Sequence, residues 1–172
     1  MRFADFLRAT VLLSAGSSTL LAALAVIGMS RDADRVLVIF SVSWWVAAAV
    51  IGAWLGRRAE TSPPIARLLF SARSQTTLPE LRPGLTMLNR LWPLLVSVLG
   101  AAILSVFQPV WATIGAGFAV VWALAWRRQE SAVLAIEERD GVRFYVDRTS
   151  PLQPIRLVRT PGFGGNFLQY ER

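Results

Sequence analysis

Three long stretches of the chain carry no charged residue: 9–30, 36–56 and 91–126. A core helix of a water-soluble protein keeps a polar face, and an apolar run of about 18 residues or more marks a membrane span instead. All three stretches therefore read as membrane-spanning. The first span, 9–29, has 21 residues. At about 1.5 Å rise per residue it crosses a hydrocarbon core of about 30 Å. Arg2 and Arg8 before it, and Ala23-Leu24-Ala25 within it, also resemble a cleavable leader. A leader's apolar segment is usually about 7–15 residues, however, and this run is longer and leads at once into a second span. That second span, 36–56, lies between Arg35 and Arg57-Arg58.

The third stretch is 36 residues long. As one helix it would measure about 54 Å, well beyond a bilayer's hydrocarbon thickness. Gln108-Pro109 falls near its middle, and proline both lacks an amide hydrogen and disfavours helix at the residue before it. The stretch therefore divides into spans over 85–107 and 110–126 joined by a tight turn. The predicted fold is an all-α polytopic membrane protein of four transmembrane helices in two hairpins, with a small cytoplasmic β-hairpin or three-strand tail. Its segments are a first hairpin (1–56), a basic loop (57–84), a second hairpin (85–126) and a tail (127–172).

The soluble segments show other periodicities. In the loop, Thr61 or Ser62 can cap a short helix that tolerates Pro63 and Pro64 in its first turn. Ile65, Leu68, Leu69 and Ala72 then share one side, with Arg67 and Ser71 opposite. That pattern suits a helix lying in the headgroup plane. Pro79, Pro83 and Gly84 break up the rest of the loop. In the tail, 132–138 and 142–148 read as strands around Arg139-Asp140-Gly141, a three-residue closure with glycine in the left-handed position. That register gathers Leu134, Ile136, Phe144 and Val146 on one face and sets Glu137 opposite Arg143 on the other. After Ser150-Pro151, a third strand over 155–159 adds Ile155 and Leu157 to the apolar face. A sheet this small cannot cover such a face alone. It must lie against the basic loop, a second copy or a partner protein. The glycine-rich end offers Phe163 and Phe167 as anchors.

Arginine placement orients the spans. The segments before span one, between spans two and three, and after span four carry 16 of the 18 arginines, against Arg31 and Arg35 on the other side. Basic residues accumulate on the cytoplasmic side, so both termini and the central loop are expected there. Arg57, Arg58, Arg67, Arg127 and Arg128 are then placed to meet anionic headgroups. Trp92 and Trp126 fall at the inner headgroup level and Trp111 at the outer one. Trp44 and Trp45 fall deeper, where they pack or meet lipid.

Small residues recur at four-residue spacing in every span: Ser14, Ser18 and Ala22; Ala48, Gly52 and Gly56; Ser97, Ala101 and Ser105; Gly115, Ala119 and Ala123. Such ribbons let helix backbones approach closely, although alanine-rich spans also generate them by chance. The packing set is Ser14, Ser18, Ala22, Gly52, Gly56, Ala101, Gly115 and Ala119. The hydroxyls of Ser14, Ser17, Ser18 and Thr19 can be satisfied by carbonyls one helical turn back.

Composition narrows the chemistry. The chain has no Lys, His or Cys, which excludes Schiff bases, thiolate nucleophiles, imidazole bases and the usual soft metal ligands. Lysine-free, Ala- and Arg-rich usage points to a GC-rich bacterial genome, and so to a bacterial plasma membrane. Glu130, Glu137, Glu138, Asp140 and Asp147 sit in no catalytic motif, and Asp32 and Asp34 are offset by Arg31 and Arg35. No phosphate-binding or dinucleotide fingerprint is present. The net charge of +7 is better explained by anionic lipid than by nucleic acid. No ionisable residue lies inside a span away from its ends, which argues against proton-coupled transport.

The resulting expectation is a non-enzymatic membrane accessory or scaffold protein without metal or cofactor. It would bind a protein partner, or further copies of itself, through the cytoplasmic face and tail. The rivals are a homo-oligomeric transporter or channel for a neutral or apolar solute, and a membrane-surface enzyme acting on lipid headgroups through Glu137, Glu138, Asp140 and Asp147.

Overall fold

In a computed structural model the chain is mostly helical, with six α-helices and three short strands among the described residues, which are 1–31, 35–57, 61–74, 83–147, 153 and 155–161. The expectations for Asp32, Asp34, Arg58, Pro79, Ser150-Pro151, Phe163 and Phe167 lie outside them. The order is α1 (Phe3–Arg31), α2 (Arg35–Leu55), α3 (Pro63–Phe70), β1 (Arg73–Ser74), α4 (Pro83–Leu104), α5 (Val110–Trp126), α6 (Gln129–Asp140), β2 (Val142–Val146) and β3 (Leu157–Pro161). Four helical stretches are long and apolar enough to cross a membrane. The fourth begins at Val110; its uncharged part ends at Trp126, and α6 comes after Arg127-Arg128.

The contacts divide the chain into two compact units. Unit 2 comprises Arg8–Arg58 and Leu91–Arg128. Its interior is built mostly from small side chains around one leucine. Leu21, Ala25, Ala112 and Ala116 form a buried cluster against which Ala22, Leu24, Met29, Trp45, Val98, Ala101 and Ala102 pack. The large apolar residues point outward, Val36, Ile39, Val50, Leu99 and Phe118 among them, all more than half exposed. A bundle with bare aliphatic residues outside and alanine inside is suited to lipid rather than water. The expected hairpin turn is present: α4 unwinds through Ser105–Phe107 and α5 restarts after Pro109. Pro93 is accommodated inside α4 without breaking it.

Unit 1 gathers three distant parts of the chain, Met1–Leu7, Ala59–Arg90 and Gln129–Arg172. Its sheet has the order β1-β3-β2, with β1 parallel to β3 and β2 antiparallel to it. The register sets Tyr145 against Val158 and Val146 against Leu157. Arg2 adds an isolated antiparallel bridge to Tyr145, and the Val146 amide donates to the Met1 carbonyl at 3.0 Å.

This corrects the expected tail hairpin. Residues 132–138 are not a strand; they belong to α6. Gln, Glu, Ala, Leu and Arg, which favour helix, dominate the segment. Its buried positions, Gln129, Ala132, Val133 and Glu137, have helical spacing. Gly141 does adopt the left-handed conformation, at φ 60°. It does so immediately after a helix, where glycine commonly terminates the last turn, and not at a hairpin tip. The strand at 142–146 and the one near 155–159 are present, and the third member comes from the basic loop.

Candidate functional site

Glu137 is the best-defined polar site in unit 1. Helical spacing from Gln129 and Val133 carries it to the buried side of α6, where it is 5% exposed. A buried carboxylate must be compensated on both oxygens. Glu137 Oε2 accepts from Arg2 Nη2 at 2.8 Å, and Oε1 accepts from the Phe144 backbone N–H at 2.9 Å. One side chain thus fastens α6, β2 and the N-terminal segment together. The bond to Glu137 holds the Arg2 guanidinium protonated more firmly than usual, against a smaller opposing effect of burial. The cross-strand partnership expected between Glu137 and Arg143 is therefore replaced by one with Arg2, because α6 turns Glu137 inward. At the other end of α6, Gln129 Oε1 accepts from the Ser62 amide at 2.9 Å, tying α6 to the start of α3.

Of the tail residues expected to form an open apolar face, Phe144, Val146 and Leu157 are buried, and Leu134, Ile136 and Ile155 are half-buried. Tyr145 and Val158 are buried as well. Successive residues of a strand point to opposite faces, so both faces of β2 are covered. The N-terminal Phe3, Phe6 and Leu7 and the loop residue Ile65 belong to the same buried set. Sequence reasoning left out the N-terminal residues, although Phe3, Phe6 and Leu7 already stood at helical spacing.

Unit 2 holds a second polar cluster, between α2 and α5. Ser41 Oγ lies 3.0 Å from Thr113 Oγ1 and donates to the Leu37 carbonyl at 2.7 Å. Trp45 Nε1 donates to the Thr113 carbonyl at 3.0 Å, and Trp44 Nε1 to the Ile114 carbonyl at 3.3 Å. Each carbonyl has a second lone pair available beside its helical bond. Trp44 also lies against Gly117, where an added Cβ would overlap the indole ring. The signal for this seam was present in the sequence as two indoles and two hydroxyls at span depth, but their partners were not.

The small residues of the packing set are buried or half-buried. Gly52 and Gly56 are buried against Leu124, with Val121 also close to Gly52. Gly115 sits between Leu21 and Ala101. Ala22, Ala101 and Ala119 are half-buried, and Ser14 and Ser18 are buried. Thr19 bonds the Ala15 carbonyl as expected, but Ser14 Oγ is buried with no hydrogen-bond partner among the described residues. Of the headgroup arginines, Arg57, Arg67, Arg127 and Arg128 are exposed. Arg128 Nη1 also donates to the Arg57 carbonyl at 2.8 Å, a cation at the C-terminal end of α2.

Chemically, both clusters fasten elements together. Glu137 has both oxygens engaged, and among the described residues no group of three acidic side chains could hold a metal ion. No protein-family model, curated protein or solved structure matches the chain.

Proposed function

We propose that the chain is a four-span accessory protein of a bacterial plasma membrane. It presents unit 1 on the cytoplasmic surface as a docking module for a protein partner. The observation that carries this reading is the composition of unit 1, which draws on the N-terminus, the central loop and the tail. Four crossings would put these three segments on one side, and their meeting in one unit supports that arrangement. The arginine bias of 16 to 2 makes that side cytoplasmic. The transporter reading finds less support, because the hydroxyls and indoles between α2 and α5 are bonded to each other and to the backbone.

Two experiments test this. The chain lacks cysteine, so single cysteines report topology cleanly. At Gln108→Cys, an impermeant thiol reagent should label intact cells; at Glu138→Cys it should label only permeabilised ones. The reverse pattern would invert the orientation, and equal labelling would end the four-span reading. The second is purification in mild detergent, comparing the native chain with an Arg143→Glu, Arg156→Glu variant at exposed positions. A stoichiometric partner retained by the first and lost by the second supports docking. A partner-free homo-oligomer would favour transport and call for flux measurements. Removing the whole tail is a poorer test, since it strips Arg2 of Glu137 and β1 of its neighbour β3.

A further inference from the structure

The apolar side of α3 that the sequence assigns to the headgroup plane is used elsewhere. Ile65 is 1% exposed, and Leu68, Leu69 and Ala72 are half-buried. The opposite side remains open and is not simply polar. Pro63, Ala66, Arg67 and Phe70 fall three or four residues apart along it, all exposed, and Phe70 is 97% bare. Arg73, in the next strand, is exposed too. Among the described residues neither Arg67 nor Arg73 pairs with a carboxylate.

We infer that this second side of α3 docks on the anionic surface of the membrane, with Phe70 inserted at the headgroup–acyl boundary and Arg67 and Arg73 against lipid phosphates. Three observations select lipid as the occupant. An aromatic ring flanked by unpaired arginines is complementary to an anionic interface, where rings settle about 5–10 Å into the headgroup region. Residues 56–62 separate α2 from α3, a tether of at most about 25 Å from the end of a span. The inward side of α3 is already fixed by Ile65, so the ring is held on a firm base. This inference rests on the membrane-spanning reading, and deepens it by naming where unit 1 meets the bilayer.

The test uses the full chain reconstituted in vesicles of phosphatidylglycerol and phosphatidylcholine that contain doxyl-labelled lipid. A bimane label is attached at one introduced cysteine: Ala66→Cys beside Phe70, Glu138→Cys as an aqueous reference, or Val50→Cys as a mid-span reference. Docking predicts quenching at position 66, falling to the level of position 138 when Phe70→Ser is added or phosphatidylglycerol is omitted. Phe70 is exposed, so that substitution leaves the fold intact. Quenching at 50 with none at 66 would overturn docking and leave the spanning reading standing. Quenching at 66 indifferent to Phe70→Ser and to lipid charge would overturn the assignment to these residues. No quenching at 50 would remove the spanning reading, and this inference with it.

Discussion

Unit 2 and unit 1 bury opposite kinds of residue. The interior of unit 2 is Ala25, Ala48, Gly52, Ala112, Ala116 and Gly117, with its valines, isoleucines and phenylalanines outside. The interior of unit 1 holds Phe3, Phe6, Leu7, Phe144, Tyr145 and Leu157, with arginines outside. The two arrangements suit two different solvents. Water drives large apolar groups together, so unit 1 is held by the area it hides. Lipid offers no such contrast, and helices cohere there through close backbone approach and a few hydrogen bonds. The same chain therefore contains sites where adding a methyl group is ruinous and sites where removing one is.

The sharpest way to break the comparison is to add bulk in unit 2. A Cβ at Gly56 would run into the Leu124 carbonyl, which is backbone and cannot swing aside. Gly56→Ile should force α2 from α5 and destabilise the bundle by about 3 kcal/mol, at the top of the usual overpacking range. Thermal unfolding in detergent measures it, with hydrogen exchange rising first in α2 and α5. The next largest effect lies in unit 1. Glu137→Ala leaves the buried Phe144 amide without an acceptor and Arg2 without its carboxylate. Stranding such donors should cost about 2 kcal/mol. Here exchange should rise first in β2 and at the N-terminal end of α1. If both variants loosened the same residues, the two units would not be separately held.

A smaller effect is expected from the α2–α5 seam. Ser41→Ala and Thr113→Val remove the hydroxyl pair singly and together. Interhelical hydrogen bonds in membranes are worth about 0.6 kcal/mol in double-mutant cycles, because the separated helices also satisfy their hydroxyls. A coupling energy near that value is predicted. One several-fold larger would mean that the seam is a functional polar centre and not a fastening.

How legible each unit was in the sequence reflects the same contrast. Lipid imposes its requirement locally, on every residue of a span, so the uncharged runs and the break at Pro109 marked α1, α2, α4 and α5 directly. Their ends were harder. α1 begins at Phe3, six residues before the expected span, because Phe3, Phe6 and Leu7 are buried in unit 1. Unit 1 itself depends on pairings between residues far apart, Arg73 with Val158 and Arg2 with Tyr145, and no local pattern announces those. Helix α6 was open to a strand reading because Leu134 and Ile136, two residues apart, would share one strand face with Glu137 on the other. The buried spacing of Gln129, Val133 and Glu137 decides for helix only when their partners are known. In the packing set, glycine spacing pointed to Gly52 and Gly56. Gly117 lies outside that pattern, because what distinguishes it is Trp44, on another span.

The smallest effect is expected at a hydrogen bond no longer than the one that holds Glu137. Arg139 Nε donates to Asp140 Oδ1 at 2.8 Å, the same length as Arg2 to Glu137. The Arg139 bond holds the Asp140 carboxyl below its ordinary value of 3.8. A carboxyl depressed in the fold adds stability above its unfolded value and loses it as the pH falls through the folded one. Any contribution from Asp140 would therefore disappear below about pH 4. Both partners are exposed, however, and exposed pairs gain little over water. Asp140→Asn should leave the melting temperature unchanged at pH 7, and its acid unfolding curve should overlay that of the native chain. A clear loss at pH 7 that vanished in acid would show that Asp140 meets a positive charge beyond Arg139. An unchanged curve would leave burial, and not bond length, as what separates Glu137 from Asp140.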